Sequence, residues 1–185
     1  LTITDKGSKV EFRVGVNAKI GDPWNSKSWG GNGFSLQMVQ VYLDTKKGGF
    51  RGALRGMNVK FKKGQGWDKV VFISPQPRSR IVSEVKSKSK TKKKIRGLVV
   101  PMKTFARGRE LVAIVKKSDI GTPNKRWGVQ ALLQSNEGYP GADSILARKV
   151  NEYAGADRFG GGNDYNCDPH VLDIFAGKAK GAGLR

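Results

Sequence analysis

Residues 22–44, DPWNSKSWGGNGFSLQMVQVYLD, constrain the fold more than any other stretch. The second half, residues 35–44, is the longest apolar strand candidate in the chain. Successive side chains of a strand point to opposite faces. Leu36, Met38 and Tyr42 therefore share one face, and Val39, Val41 and Leu43 the other. A strand apolar on both faces belongs inside a sheet that is covered on both sides. The first half is a loop carrying Trp24 and Trp29 with Pro23, Asn25 and several glycines. The chain thus sets an aromatic, Gly-rich loop directly before a central strand.

Other segments read as shorter strands. Residues 9–16, KVEFRVGV, alternate between Val10, Phe12, Val14 and Val16 on one side and Lys9, Glu11 and Arg13 on the other, the pattern of a half-buried strand. Residues 45–56 hold four glycines and read as an irregular crossover. Residues 58–63, 69–74, 95–100, 110–116, 127–135 and 144–150 are further strand candidates. Residues 78–96, RSRIVSEVKSKSKTKKKIR, alternate basic and small polar residues and suggest a β-hairpin with a Lys/Ser tip. Residues 117–121 suggest one helical turn capped by Ser118, and residues 170–176 a short helix after the Asp168–Pro169 pair. This pattern predicts an all-β fold, a two-sheet antiparallel, jelly-roll-like β-sandwich with one or two short helices near the C-terminus. The 185 residues suffice for one domain over residues 1–177, followed by a basic, small-residue tail over 178–185.

Charge narrows the partners. Lys and Arg number 35 against 15 Asp and Glu, a formal net charge of +20. Such a field attracts polyanions and weakens with salt. The candidate polyanion-binding residues are Lys86, Lys88, Lys90, Lys92, Lys93, Lys94 and Arg96. No aromatic residues interleave with them, which disfavours a base-stacking platform. No run of eighteen apolar residues occurs, so no transmembrane helix is expected. The sequence starts at Leu1 without an obvious signal peptide, as expected of a processed chain or a piece of a longer protein.

Catalytic constellations are weak. The single histidine, His170, sits near the single cysteine, Cys167, and two candidate ligands are too few for a zinc site. No GxSxG elbow is present. Asp157, Asp164 and Asp168, around the glycines at 160–162, form a candidate calcium corner. Met38, Met57 and Met102 read as core filler rather than haem ligands. No other cofactor is expected.

Several segments in order resemble the glucodextranase C-terminal domain family. These modules are β-sandwiches of DOMON-like or carbohydrate-binding type, also found at the end of archaeal amylopullulanase-type enzymes. The matching residues are 22–44, GWDKVVFISP at 66–75, IVKKSDIGTP at 114–123, WGVQALLQSNEGYPG at 127–141 and RKVNEYAGADRFGGGNDYNCDPHVLDIFAG at 148–177. The resemblance implies an extracellular, non-catalytic module that holds its parent protein on polysaccharide or on the cell envelope. It also implies that the family's acidic opening and first strand precede this chain. The high positive charge is not what the resemblance implies.

Three functional readings follow. The first is polysaccharide or envelope-glycan binding on a platform of Trp24, Asn25, Trp29 and Phe34, where rings stack on the C–H face of a sugar and amides bond its hydroxyls. The second is a structural subunit of a surface layer or filament, a homo-oligomer built by strand pairing at an open edge beside residues 9–16. The third is salt-dependent binding of an acidic glycan or nucleic acid through the Lys-rich hairpin.

Overall fold

The computed structural model describes residues 1–89, 91–155, 160 and 170–176. In chain order they form β1 (Thr2–Lys6), β2 (Lys9–Gly15), a 3-10 turn (Ser26–Trp29), β3 (Gln37–Asp44) and β4 (Lys69–Ile73). Then come α1 (Arg78–Lys88), α2 (Lys92–Arg96), β5 (Leu98–Val99), β6 (Lys103–Arg107) and β7 (Glu110–Lys116). α3 (Lys117–Ile120), β8 (Gly128–Ser135) and β9 (Asp173–Ala176) complete the order. The strands make two sheets, β1-β2-β7-β6 and β5-β4-β3-β8-β9. All pairs are antiparallel except β4 with β5, which is parallel.

β3 lies at the centre of the five-stranded sheet, and its two apolar faces serve two cores. Val39, Val41 and Leu43 pack between the sheets against Val10, Phe12 and Val14 of β2 and Leu111, Ala113 and Val115 of β7. Met38 and Tyr42 face outward, where Leu54, Phe61 and Trp67 of the crossover and Ile81 and Val85 of α1 cover them. Each fully buried aliphatic or aromatic side chain is worth about 1.5–3 kcal/mol. The second core explains how both faces of one sheet stay dry in a two-sheet sandwich. The outer face of the larger sheet is roofed by irregular chain and one helix.

Residues 78–88 and 92–96 are helical, where a β-hairpin was expected over 78–96. Ile81 and Val85 are one helical turn apart and both buried, so they form a stripe on α1. Glu84 bridges Arg80 at 3.0 Å and Lys88 at 2.7 Å, both at the spacing of four that only a helix brings together. Within α1 the Lys/Ser alternation that suggested a hairpin falls on the last turn, where Lys86 and Ser87 are exposed. β5 is correspondingly only two residues long, and residues 95–96 belong to α2.

Residues 173–176 form a strand and not a helix. Ile174 packs on the outer core and Phe175 on the inner one, so successive side chains alternate between faces of the sheet. Among the described residues the helices stand mid-chain. Residues 58–63 and 144–150 make only isolated bridges, Gly52 with Lys60 and Asn136 with Ala147, although Phe61, Ile145, Leu146 and Val150 are buried. α3 forms where a helical turn was expected, but no side chain caps it and Lys116 holds the cap position. Met38 and Met57 are core residues, whereas Met102 is 53% exposed.

β2 has no open edge. β1 pairs along one side of it, from Thr2 with Arg13 to Lys6 with Lys9, and β7 along the other. Strand addition beside residues 9–16 is thereby blocked. Among the described residues no helix is long and apolar enough to cross a membrane.

Candidate functional site

The two ends of the five-stranded sheet differ, and the candidate residues sort between them. At the end where β3 begins, the Trp loop is tied down. Asp22 accepts hydrogen bonds from the Ser26 backbone N–H at 2.9 Å, from Ser26 Oγ at 2.9 Å and from Ser35 Oγ. Burial alone raises the Asp22 pKa, but the bonds from Ser35 and Ser26 outweigh it and hold the carboxyl below the ordinary aspartate value. Ser26 Oγ in turn accepts from the Gly33 N–H at 2.8 Å. Asn32 Nδ2 donates to the carbonyls of Ser74 and Gln76, and Asn136 Nδ2 to the carbonyl of Ser35. Gly31 packs so tightly that a Cβ there would meet the Trp29 ring at 2.6 Å and the Pro75 carbonyl at 2.7 Å.

This loop brings Trp24, Asn25 and Trp29 together but removes Phe34 from them. Phe34 is fully buried between the sheets and cannot touch a ligand, because it is the first apolar residue the chain inserts on entering β3. The Arg148 guanidinium sits 5.0 Å from the centre of the Trp24 ring and takes up one of its faces. Arg148 is itself held by Glu137 at 2.8 Å. Trp29 donates its indole N–H to the Trp24 carbonyl at 3.3 Å and remains 37% exposed.

At the opposite end, where β3 stops and β8 begins, a cleft of about 500 Å³ opens on the outer face of the sheet. Tyr42, Phe61 and Trp67 form its aromatic floor, with Trp127 at the edge. The floor is rigid: the Tyr42 ring lies 5.1 Å from Phe61 and 5.2 Å from Trp67, and Trp67 donates its indole N–H to the Gly52 carbonyl at 3.0 Å. Gln65, Arg126, Gln130 and Asp44 supply polar groups around it. Burial first, and the neighbouring Asp68 second, raise the Asp44 pKa. Gly128 stands opposite Asp44 in the strand pairing, where a Cβ would come within 3.1 Å of the aspartate Cβ. A glycine there keeps the cleft mouth open. Tyr42, Phe61 and Trp67 are themselves almost fully buried, at 2%, 5% and 1% exposure, so they support the cleft from beneath while the polar side chains around them face it.

The expected Lys-rich arm is dispersed over two helices. Lys88 pairs with Glu84 and donates to the carbonyls of Gly141 and Ser144, so it ties α1 to the loop after β8. Lys94 turns inward, donating to the Gly52 and Ala53 carbonyls at 3.1 Å and lying 5.7 Å from the Phe50 ring centre. Burial lowers its pKa. Lys86 is exposed on α1, away from the clefts. Lys93 and Arg96 line a second cleft together with Lys46 and Lys69, two residues that the sequence reading did not single out. Lys90 and the side chain of Lys92 lie outside the described residues, as do Asp157, Asp164, Asp168 and Cys167. His170 is packed at 4% exposure. Among the described residues no three His, Cys, Asp or Glu side chains gather in a way that could hold a metal ion.

The first cleft escapes a sequence reading because its lining comes from three separate stretches, 42–44, 61–67 and 125–130. The only local signal was the GQGWD run at 64–68, where small residues flank an aromatic one. Over residues 1–181 the chain matches the family described as the C-terminal binding module, SLH-like, of glucodextranase. A comparison with curated proteins returns no match.

Proposed function

Because the chain belongs to the family of SLH-like C-terminal binding modules of glucodextranase, we propose that it is a non-catalytic module that holds its parent protein on polysaccharide at the cell surface. The observation that carries this reading is the aromatic-floored cleft beside β3 and β8. A pyranose seated in that cleft would have its hydroxyls within the reach of Gln65, Arg126 and Gln130. Glycoside hydrolysis needs two carboxyl groups set across the scissile bond, and Asp44 is the sole carboxylate among the described residues of the lining.

The second reading keeps the sugar on the Trp loop. Its support is Trp29, the most exposed tryptophan among the described residues, next to the exposed Asn25. Isothermal titration with dextran oligosaccharides separates the two. Gln130→Ala and Arg126→Ala should each weaken binding by roughly tenfold, the value of about 1.4 kcal/mol from a lost polar contact. Trp29→Ala should leave binding within about twofold. The reverse pattern moves the site to the loop. Absence of any binding to dextran, pullulan or starch oligosaccharides removes the neutral-glucan reading.

A further inference from the structure

The second cleft encloses about 550 Å³ and opens at the same end of the five-stranded sheet as the first. Its cations come from distant parts of the chain: Lys46 from the crossover after β3, Lys69 from the start of β4, Lys93 and Arg96 from α2. The one carboxylate in the lining, Asp68, is already engaged, since it accepts from the Thr45 N–H at 2.8 Å and from Thr45 Oγ1 at 2.7 Å. Among the described residues none of the four cations stands in an ion pair. Two other helix cations are spent, Lys88 of α1 on Glu84 and Lys94 of α2 on backbone carbonyls. Gathering like charges around one concavity costs folding free energy that a bound anion relieves. Concave walls also focus the field and raise its effect over that of the same charges spread on a convex surface.

We infer that this cleft binds the anionic substituent, carboxylate or phosphate, of an acidic polysaccharide. The inference rests on the polysaccharide reading above for its carrier, and the cleft names the chemical class of the substituent. Two features favour a glycan over nucleic acid. Phe50 is the only aromatic ring in the lining, whereas binding of single strands uses a row of rings on which successive bases stack. Trp67 lines the first cleft and Asp68, the next residue, lines the second. A polymer laid across this segment would set one sugar in the first cleft and its charged neighbour among the four cations. The +20 charge of the chain, unexpected for a neutral-glucan module, acquires a local purpose here.

Dextran, carboxymethyl-dextran and dextran phosphate share one backbone and isolate the substituent. The intact chain should bind at least one of the two charged polymers roughly tenfold more tightly than dextran at low salt, and that preference should fall as salt rises. Which of the two binds more tightly identifies carboxylate or phosphate as the preferred group. The pair Lys93→Gln with Arg96→Gln should abolish the preference and leave dextran binding unchanged, and so should Lys46→Gln with Lys69→Gln. As a charge-matched control, Lys9→Gln with Lys116→Gln, exposed partners on the other sheet, should change affinity by less than about twofold. Loss of dextran binding alone, with cleft-dependent binding of a charged polymer retained, would sink the neutral-sugar site and support this one. The inference is overturned by equal losses in the cleft and control pairs, which would mean a diffuse field, or by no preference for charged over neutral dextran. Tighter, cleft-dependent binding of a single-stranded oligonucleotide overturns the glycan assignment.

Discussion

The two ends of the central sheet are built from similar residue types and end up with opposite properties. Each carries tryptophan, glycine, aspartate and a nearby basic residue. At the start of β3 the aspartate is consumed internally: Asp22 gathers Ser26 and Ser35, and asparagine side chains stitch the loop to β4 and β8. The arginine stacks on Trp24 and pairs with Glu137. At the end of β3 the aromatic rings are buried as a floor, and the polar groups are left around two open clefts. The difference teaches that two ends built from the same residue types can spend their polar groups in opposite ways. The more exposed Trp29 belongs to a loop whose polar groups are already satisfied by one another, whereas the buried Trp67 supports groups that still face solvent.

The largest expected effect tests this contrast through the two tryptophans. Trp67 is 1% exposed, packs on Tyr42 and Phe50 and donates a hydrogen bond to Gly52. Trp67→Ala should cost about 3–5 kcal/mol, as truncation of a buried aromatic usually does. Trp29→Ala removes a side chain that keeps more than a third of its surface in water and should cost about 1 kcal/mol or less. Urea unfolding followed by fluorescence measures both. Equal costs would show that the loop is as much a part of the core as the floor is.

What the sequence disclosed follows from how local the signal was. The two faces of β3 were legible because alternation is a property of consecutive residues, and Val39, Val41 and Leu43 do separate from Met38 and Tyr42 into two cores. β2 was legible for the same reason, and β4, β7 and β8 as short runs of strand-forming apolar residues. The helix α1 was misread because its surface cations alternate with serines at a spacing of two, while its buried stripe holds only Ile81 and Val85. β9 was misread because its four residues pair with β8 at long range, a contact that no local window contains. Of the expected Trp platform, Trp24, Asn25 and Trp29 lie together, but Phe34 went to the core, since an apolar ring entering a buried strand gains more from burial than from exposure. The clefts were not legible: each is closed by segments that meet only in the folded chain. Lys46 and Lys69 show this best, because nothing in their neighbours along the chain distinguishes them from the other cations.

An intermediate effect is expected from untying the first end. Asp22→Ala deletes the acceptor for the Ser26 N–H, Ser26 Oγ and Ser35 Oγ. Hydrogen bonds to a charged group in a partly buried setting are worth about 1.5–3 kcal/mol in sum where the partners can still reach water, so a loss of about 2 kcal/mol is expected. In a chain of this size that lowers Tm by about 4–8 °C. Dextran binding at the far end should stay unchanged per folded molecule. A variant of wild-type stability with abolished dextran binding would show that the tied loop is the sugar site and would reverse the contrast between the ends.

The smallest effect is one of sign, and acid separates the ends by it. At the tied end the carboxyls of Asp22 and Glu137 have pKa values below their ordinary ones, because hydrogen bonds from Ser35 and Ser26 in one case and from Arg148 in the other outweigh burial. Groups shifted this way contribute stability above the unfolded pKa of about 4, and that stability is lost as pH falls through the depressed folded values. At the open end Asp44 is shifted upward by burial and by Asp68. Its contribution runs the other way: it is complete below the unfolded pKa and lost as pH rises through the raised folded one. At neutral pH the cleft therefore carries an unfavourable charge that acidification removes. Asp44→Asn mimics the protonated form at every pH. It should raise Tm at pH 7 by about 1–2 °C, the scale of a surface-to-boundary charge change, and the gain should shrink toward zero at pH 3, where the native aspartate is itself protonated. A destabilised Asp44→Asn at pH 7 would mean that the carboxylate is favourably paired in the folded chain and that the open end is held by its charges as the other end is, whereas a gain of equal size at both pH values would mean that the gain does not come from the charge.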